Sequence, residues 1–485
     1  MNKKMNLAVA GAALALGASA ANAGIVIPAG DWTLDVNGNV NAFMNFNDAD
    51  AAKGTATGAN GFIGGGQDAL GESDSQGINT GLLPSWLGFT GTTRQNNTDV
   101  SFTISFQPNA SDNTAPYHGD AKTPLNRQSY LSFGDKSWGS IKLGKDIGIF
   151  ASGAILNDMT LLGVGSGANG RSGGATTLGG IGTGYVYAAW KGQATYTTPN
   201  MGGFQAKVGL MNPNNIPDAN TASTTRTYET TTTNTAATAT TNTYTVSTTT
   251  SVITGSYSAG SAASISITVV SGLIVVTAAT SVTTSTSTTV ATDTVTGAGN
   301  AAINQDRFGV EAEASYSWTG DVAGKVWVSG ASYDVTRVQA GTAATSQSYD
   351  IEAFDIGASI SAGNFGLVGY YYDGEGLGTT LFGNLGVDSS GNERDSDGGY
   401  VQATYVIPTG TKLGLAYGVS NLDTASGETN ATLVEENERW TVGAYHPLTK
   451  HLNLVAEYNS TESTGQVSSN KAENDSLSLG AILFF

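Results

Sequence analysis

Catalysis or metal binding needs a nucleophile, a base or a set of donor atoms at workable spacing, and this chain offers few of them. It has no cysteine and only three histidines, His118, His446 and His451. Without cysteine there are no thiolate metal sites, thiol nucleophiles or disulfides. His446 and His451 flank Pro447 in a short turn; they read as two solvated turn histidines, with a metal pair as the alternative. Ser and Asp are abundant, but no nucleophile motif gathers a Ser-His-Asp set, so the chain is not expected to be an enzyme. Carboxylates cluster at Glu435, Glu436 and Glu438 and at Asp388, Glu393, Asp395 and Asp397. Oxygen donors of this kind suit Ca²⁺ or Mg²⁺, and Asp395-Ser396-Asp397-Gly398 has a faint calcium-loop pattern. Solvated loop charge is the plainer reading, which leaves Asp395 and Asp397 as weak calcium candidates and no expected cofactor.

The balance of 39 acidic against 21 basic residues gives a net charge of −18. That makes nucleic acid and anionic lipid poor partners and would favour cations along an acidic wall. Glycine is frequent (65) and proline scarce (10), which suits turns and close strand packing better than helices. Lys3 and Lys4 precede a short apolar run, Leu7 to Leu16, and Ala21-Asn22-Ala23 forms a small-x-small site before Gly24. Residues 1–23 therefore read as a cleaved secretory signal, too short in its apolar part to span a bilayer. Beyond it, no stretch is apolar enough for a membrane helix.

A period of two dominates the rest. From Trp32 to Phe46 the even positions are Trp32, Leu34, Val36, Gly38, Val40, Ala42, Met44 and Phe46, while the odd ones are polar apart from Phe43. The pattern recurs at Val100–Phe106, Phe204–Leu210, Phe308–Trp318, Phe354–Ile360 and Leu413–Val419. Soluble strands typically run about 5–6 residues, whereas a tilted membrane strand needs about 9–11. Seven short turns, from Gln95–Asn97 to Pro447–Lys450, alternate with eight longer polar loops at about 47–78, 109–126, 147–190, 212–305, 335–349, 373–397, 422–437 and 461–474. They define sixteen strands. An open edge in lipid would leave backbone groups unpaired, so the expected fold is all-β, a closed 16-stranded antiparallel transmembrane β-barrel over residues 24–485. The facing of the ninth and fourteenth strands stays ambiguous. Asp35, Lys207, Arg307, Glu311, Glu313 and Asp355 fall on the lumen side, either setting ion preference or pairing as structural wall charge. The last strand alternates from Leu477 to the terminal Phe485, an amphipathic ending that resembles the signal read by the outer-membrane assembly machinery.

Several segments resemble the trimeric general porins of Gram-negative bacteria, nearest the neisserial and burkholderial branch. Thr80-Gly81-Leu82-Leu83-Pro84-Ser85-Trp86-Leu87-Gly88-Phe89 resembles the family's second strand, and Trp138-Gly139-Ser140-Ile141-Lys142-Leu143-Gly144-Lys145 its fifth. Thr198–Phe204 resembles a family turn, and Gly399–Tyr405 and the final strand fit as well. The resemblance implies a homotrimer in the outer membrane, in contact with lipid and lipopolysaccharide, whose inward-folded third loop (about 147–190) narrows each pore. It places Arg127, Lys145, Asp146, Asp158, Arg171 and Lys191 at or near that constriction. In the family, acidic groups on this loop face a basic ladder on the wall. Arg127 sits where one ladder arginine would be, whereas the first strand offers Asn37, Asn39 and Asn41.

Residues 217–300 break the pattern, with no charge from Thr230 to Thr292 and mostly Thr, Ser and Ala. Such a stretch reads as a stalk, as a segment dipping into the pore or, since β-branched residues dominate, as extra hairpins on the fourth loop. The functional expectation is passive diffusion of small hydrophilic solutes and ions with weak cation preference. A surface adhesin anchored by its barrel and a substrate-specific channel are the alternatives.

Overall fold

The computed structural model describes residues 24–50, 60–65, 74–108, 125–168, 176–213, 223–234, 240–247, 265–270, 273–278, 285–296, 301–303, 307–339 and 345–485. The proposed signal segment, His118 and Arg171 lie outside the described residues. The chain divides into two units, Met1–Ala219 with Ile303–Arg337 and Gln347–Phe485, and Asn220–Ala302 with Val338–Ser346.

The first unit is the barrel. Its sixteen strands are β1 Trp32–Asp50, β2 Trp86–Gln95, β3 Thr98–Gln107, β4 Leu125–Asp135, β5 Gly139–Ile147, β6 Trp190–Thr197, β7 Phe204–Met211, β8 Gly309–Trp318, β9 Val322–Gln339, β10 Thr345–Ala362, β11 Phe365–Glu375, β12 Asp395–Val406, β13 Lys412–Leu422, β14 Val434–Pro447, β15 Leu452–Gly465 and β16 Lys471–Phe484. Closure comes from β16, which returns antiparallel to β1 from Asn39↔Phe484 to Asp50↔Glu473. A closed ladder leaves no edge for water or another chain to satisfy.

Alternation turns the usual sorting of side chains inside out. On β1 Asn39, Asn41, Asn45 and Asn47 are buried, while Val40, Met44 and Phe46 are exposed. On β8 Glu311 and Glu313 are buried, while Val310 and Tyr316 are exposed. In water this arrangement would be penalised; against hydrocarbon it is the favourable one. The two ambiguous strands resolve by the same rule, with Trp327 and Ser329 of β9 and Arg439, Thr441 and Tyr445 of β14 buried inside. Among the described residues no helix is long and apolar enough to cross a membrane.

Besides strands that run into other expected loops, as Leu452–Gly465 and Lys471–Phe484 do into 461–474, the structure departs from the sequence-based layout in three ways. A short strand, Ile25–Ala29, folds back on β1 from Ile25↔Val36 to Ala29↔Trp32, covering the part of β1 below the reach of β16. Its tight return uses Gly30 at φ +66°, a conformation that costs glycine little. Secondly, the second strand is broken. Ser75–Asn79 pairs with β1, the chain then leaves the wall over Thr80–Ser85, and pairing resumes at Asn39↔Trp86. Pro84 has no N–H to give a ladder, and asparagine side chains of β1 replace it. Asn41 Nδ2 donates to Leu83 O at 2.9 Å and its Oδ1 accepts from Gly81 N at 2.9 Å, while Asn39 Nδ2 donates to Pro84 O at 2.9 Å. The neutral asparagines of the first strand are thus supports for an inward segment. Thirdly, β9 runs to Gln339 and β10 starts at Thr345, well inside the expected loop at 335–349. Backbone pairing continues where side-chain hydropathy no longer reports it.

In the second unit Ser223–Asn234 pairs antiparallel with both Thr240–Ser247 and Ser285–Thr296, and Ile265–Val270 forms a separate hairpin with Leu273–Ala278.

Replacing Asn41 by alanine orphans the Gly81 amide and the Leu83 carbonyl. The expected cost is about 2 kcal/mol or more, read as a lower denaturant midpoint for loss of the barrel's resistance to unfolding.

Candidate functional site

The third loop leaves β5 at Ile147 and re-enters the wall at Trp190. Its described residues include a short helix, α1 (Ser152–Asn157), and a 3₁₀ turn at Met159–Leu162. So short a helix cannot hold itself, and its first amides have no partner within it. Ala151, at its N-terminus, supplies no side-chain cap. The wall instead fixes the backbone that leads into it. Glu311 of β8 accepts from Ile149 N at 2.6 Å and Phe150 N at 3.0 Å, and Asp355 of β10 accepts from Ala151 N at 3.0 Å. Farther round, Gln402 of β12 accepts from Met159 N at 2.6 Å, and Tyr400 donates to Ala154 O at 2.8 Å. Glu457 of β15 accepts from Val164 N at 2.8 Å and Gly165 N at 2.9 Å. Beyond it, Asn79 of the inward segment's base donates to Ala168 O at 3.2 Å, and Leu82 N donates to Gly163 O at 2.9 Å. The loop is thus stitched along the inner wall from β8 round to β1.

Within the loop Asp158 ties the two halves together. It accepts from Thr160 N at 2.8 Å, Gly180 N at 3.0 Å and Tyr185 Oη at 2.8 Å, with Arg439 Nη2 of β14 at 4.0 Å. Burial, and then the adjacent Asp158 carboxylate, push the Tyr185 hydroxyl well above its usual range, so it remains a donor.

The other constriction candidates do not meet in one ring. Arg127 lies at a register shift between β3 and β4, sandwiched 4.7 Å from the Trp86 ring and 4.3 Å from the Trp190 ring. Lys145 shares the outward parity of Leu143 and donates to Asn126 O at 2.9 Å. Asp146 is buried, paired with Lys142 and accepting from Gln128 Nε2 at 2.9 Å. Lys191 is buried beside Glu311 and Tyr333, with Nζ 3.7 Å over the Phe382 ring.

Of the wall candidates, Glu311 and Asp355 grip the loop as described. Glu313 lies between Lys207 and Lys325, each at 3.3 Å. Asp35 accepts from Asn37 Nδ2 at 3.3 Å near the base of β1. Arg307 departs from the lumen-side expectation. It precedes the first paired residue of β8, escapes the alternation, and forms an exposed ion pair with Asp334. Phe485 closes the seam: its backbone exchanges hydrogen bonds with Gly38 at 2.8 and 3.1 Å. Asp395 stands opposite Glu375 and Asp397 opposite Asp373 on the outer face of the wall, with Asn421 Nδ2 3.3 Å from Asp397. Among the described residues no cluster of three acidic, His or Cys donors is arranged to hold a metal.

Sequence reasoning missed Lys142, Lys325, Gln402, Arg439 and Glu457. Parity alone would have flagged Glu457, the charged member of an inward row with Asn459, Thr461 and Ser463. It placed the sixth loop at about 373–397 but missed that this loop, Gly376–Arg394, folds inward. Phe382 packs 4.9 Å from the Tyr333 ring, and Thr380 O accepts from Tyr187 N at 2.9 Å. Arg394 then clamps Glu428 of the seventh loop through two bonds, 2.8 and 2.6 Å.

Removing Glu311 as alanine strands the buried Lys191 ammonium. The expected loss is about 3–5 kcal/mol, measurable as a lowered thermal threshold. The Arg394 clamp holds the Glu428 carboxyl below its usual range. Its contribution is therefore full above the unfolded carboxyl pKa and fades as pH falls through the lower folded value. Limited proteolysis of the seventh loop should accelerate below about pH 4 in the native protein, and E428Q should lose that pH dependence.

The profile of the Gram-negative porin family matches residues 8–326. Among solved structures, the outer membrane channel DcaP of Acinetobacter baumannii has a TM-score of 0.53 at 12% identity, covering 94% of this chain and 97% of that one. The anion-selective porin from Comamonas acidovorans gives 0.53 at 13% identity, with coverage of 94% and 100%. OmpF of Salmonella typhi, in complex with daunomycin, gives 0.50 at 13%, with coverage of 95% and 100%. At such identities the likeness is one of fold. No curated relative matches the chain. With the family profile spanning more than half of the chain and the sixteen strands closed around an inward loop, this chain belongs to the Gram-negative porin family, as an outer-membrane channel for diffusion.

Proposed function

We propose that this porin passes small hydrophilic solutes and ions passively, sieved at the third loop, and that it works as a homotrimer. The observation that carries this is the stitching of the loop to the wall from β8 round to β1. It leaves the inner faces of β2 to β5 opposite, where paired hydroxyls stand beside Lys142, Asp146 and Gln128. Thr90 and Thr103 meet at 3.1 Å, and Ser101 and Ser132 at 2.9 Å. Such a wall replaces a solute's water hydrogen bonds without holding it tightly.

The net acidity behind the expected weak cation preference lies partly outside the lumen. Asp373, Glu375, Asp395 and Asp397 share the outward parity of Tyr371 and Val401. Ion preference then follows the inner wall and not the composition.

Residues 1–23 serve in this reading as the cleaved signal, Phe485 as the assembly signal, and the outward face as the surface for lipid and lipopolysaccharide. The Thr-rich segment 217–300 is surface display, dispensable for the pore. Purified protein should give stable conductance steps in planar bilayers, in multiples of three, and deletion of 217–300 should preserve them. An absence of steps from the native protein would sink the channel reading; loss of steps only on deletion would make the insert part of the pore. Deleting Phe485 should lower the yield of assembled barrel severalfold.

A further inference from the structure

Charge inside the barrel is sorted by burial. The inward carboxylates Asp146, Glu311, Glu313, Asp355 and Glu457 are no more than 4% exposed. Each is engaged at hydrogen-bond distance by a lysine, a tyrosine hydroxyl or a backbone amide. The inward lysines are different. Lys142, Lys207 and Lys325 keep 21%, 32% and 33% of their side-chain surface, and Lys412 is half-buried. All four lie in the first half of odd-numbered strands, β5, β7, β9 and β13, which rise from the short-turn end of the barrel. Lys207 and Lys325 share the single carboxylate of Glu313, so that trio is net positive. Asp35 is half-buried near the base of β1, and at the rim Arg94 bridges Asp99 and Asp135.

Mobile ions respond to the charge they can approach. A buried carboxylate saturated by donors presents little field to the lumen, whereas the lysines paired with Asp146 and Glu313 keep surface that mobile ions can approach. The screening length at physiological salt, about 8 Å, is comparable to the reach of such a side chain into a narrow pore. We infer that Lys142, Lys207, Lys325 and Lys412 form an anion-attracting ring in the short-turn half of the lumen, so that this acidic protein favours small anions, inorganic or carboxylate, over cations. The inference rests on the reading of the chain as a diffusion channel.

The test is the reversal potential of the purified full-length protein in planar bilayers under a tenfold KCl gradient. Native channels should show chloride preference. K207Q, which leaves Lys325 to pair with Glu313, should lower the chloride-to-potassium permeability ratio about twofold. E313Q, which frees both lysines, should raise it by a similar factor. K471Q, on the outward-facing pair with Glu462, should leave it unchanged. Cation preference in the native channel, or shifts in K207Q and E313Q no larger than in K471Q, would overturn the ring. Absence of conductance would overturn the channel reading and the ring with it. Opposite shifts from two variants of one trio separate an electrostatic effect from a general disturbance of the barrel.

Discussion

The lumen depends on one kind of interaction: carboxylates of the barrel wall accepting hydrogen bonds from the backbone amides of the third loop. Glu311, Asp355 and Glu457 stand on β8, β10 and β15, so the loop is gripped along most of its course. Charge-assisted bonds of this type are stronger than neutral ones. An amide left unpaired in the packed lumen would cost about 1–3 kcal/mol. The loop has too little regular structure to be rigid alone, and its shape is imposed by the strands it crosses.

This grip leaves the familiar facing of loop acids against wall bases to a single buried pair among the described residues, Asp158 with Arg439. The loop's own acid, Asp158, is spent on Gly180, Thr160 and Tyr185. The wall acids Glu311, Asp355 and Glu457 are spent on the loop, and Glu313 and Asp146 on wall lysines. Lys191 neutralises Glu311 in a buried cluster with Tyr333 and Phe382. A buried ion pair is weak evidence for stability on its own, but here the same carboxylate also satisfies two amides. Lys142, Lys207 and Lys325, which pair with the remaining wall acids, keep 21%, 32% and 33% of their side-chain surface.

The two surfaces of the wall answer to different solvents. Outside, side chains such as Val40, Leu367 and Val401 are exposed to hydrocarbon, and the only demand on them is to be apolar. Inside, Asn, Ser and Thr rows support inserted segments. Asn39 and Asn41 hold Thr80–Ser85, and Asn437 and Ser463 hold the first loop at Gly61 and Gly64. Described parts of the first, third and sixth loops and the broken second strand all lie against the inner wall.

The barrel was legible in the sequence because its determinants are local and repeated. Alternation from Trp32 to Phe46, short turns and long loops in strict order, and a last strand ending at Phe485 dictate sixteen strands and an inward parity for Glu311, Glu313 and Asp355. Parity says which way a side chain points and nothing about what meets it there. Arg127 between two tryptophans, Lys145 on the outer face and Arg307 beyond the end of the ladder each depend on a register shift, a strand end or a distant ring. The break at Thr80–Ser85 needs two asparagines some forty residues earlier. The partners of each wall carboxylate come from elements as much as 293 residues away. A strand pattern with a period of two encodes the wall; the contents of the lumen are decided by long-range contacts that closure alone brings together.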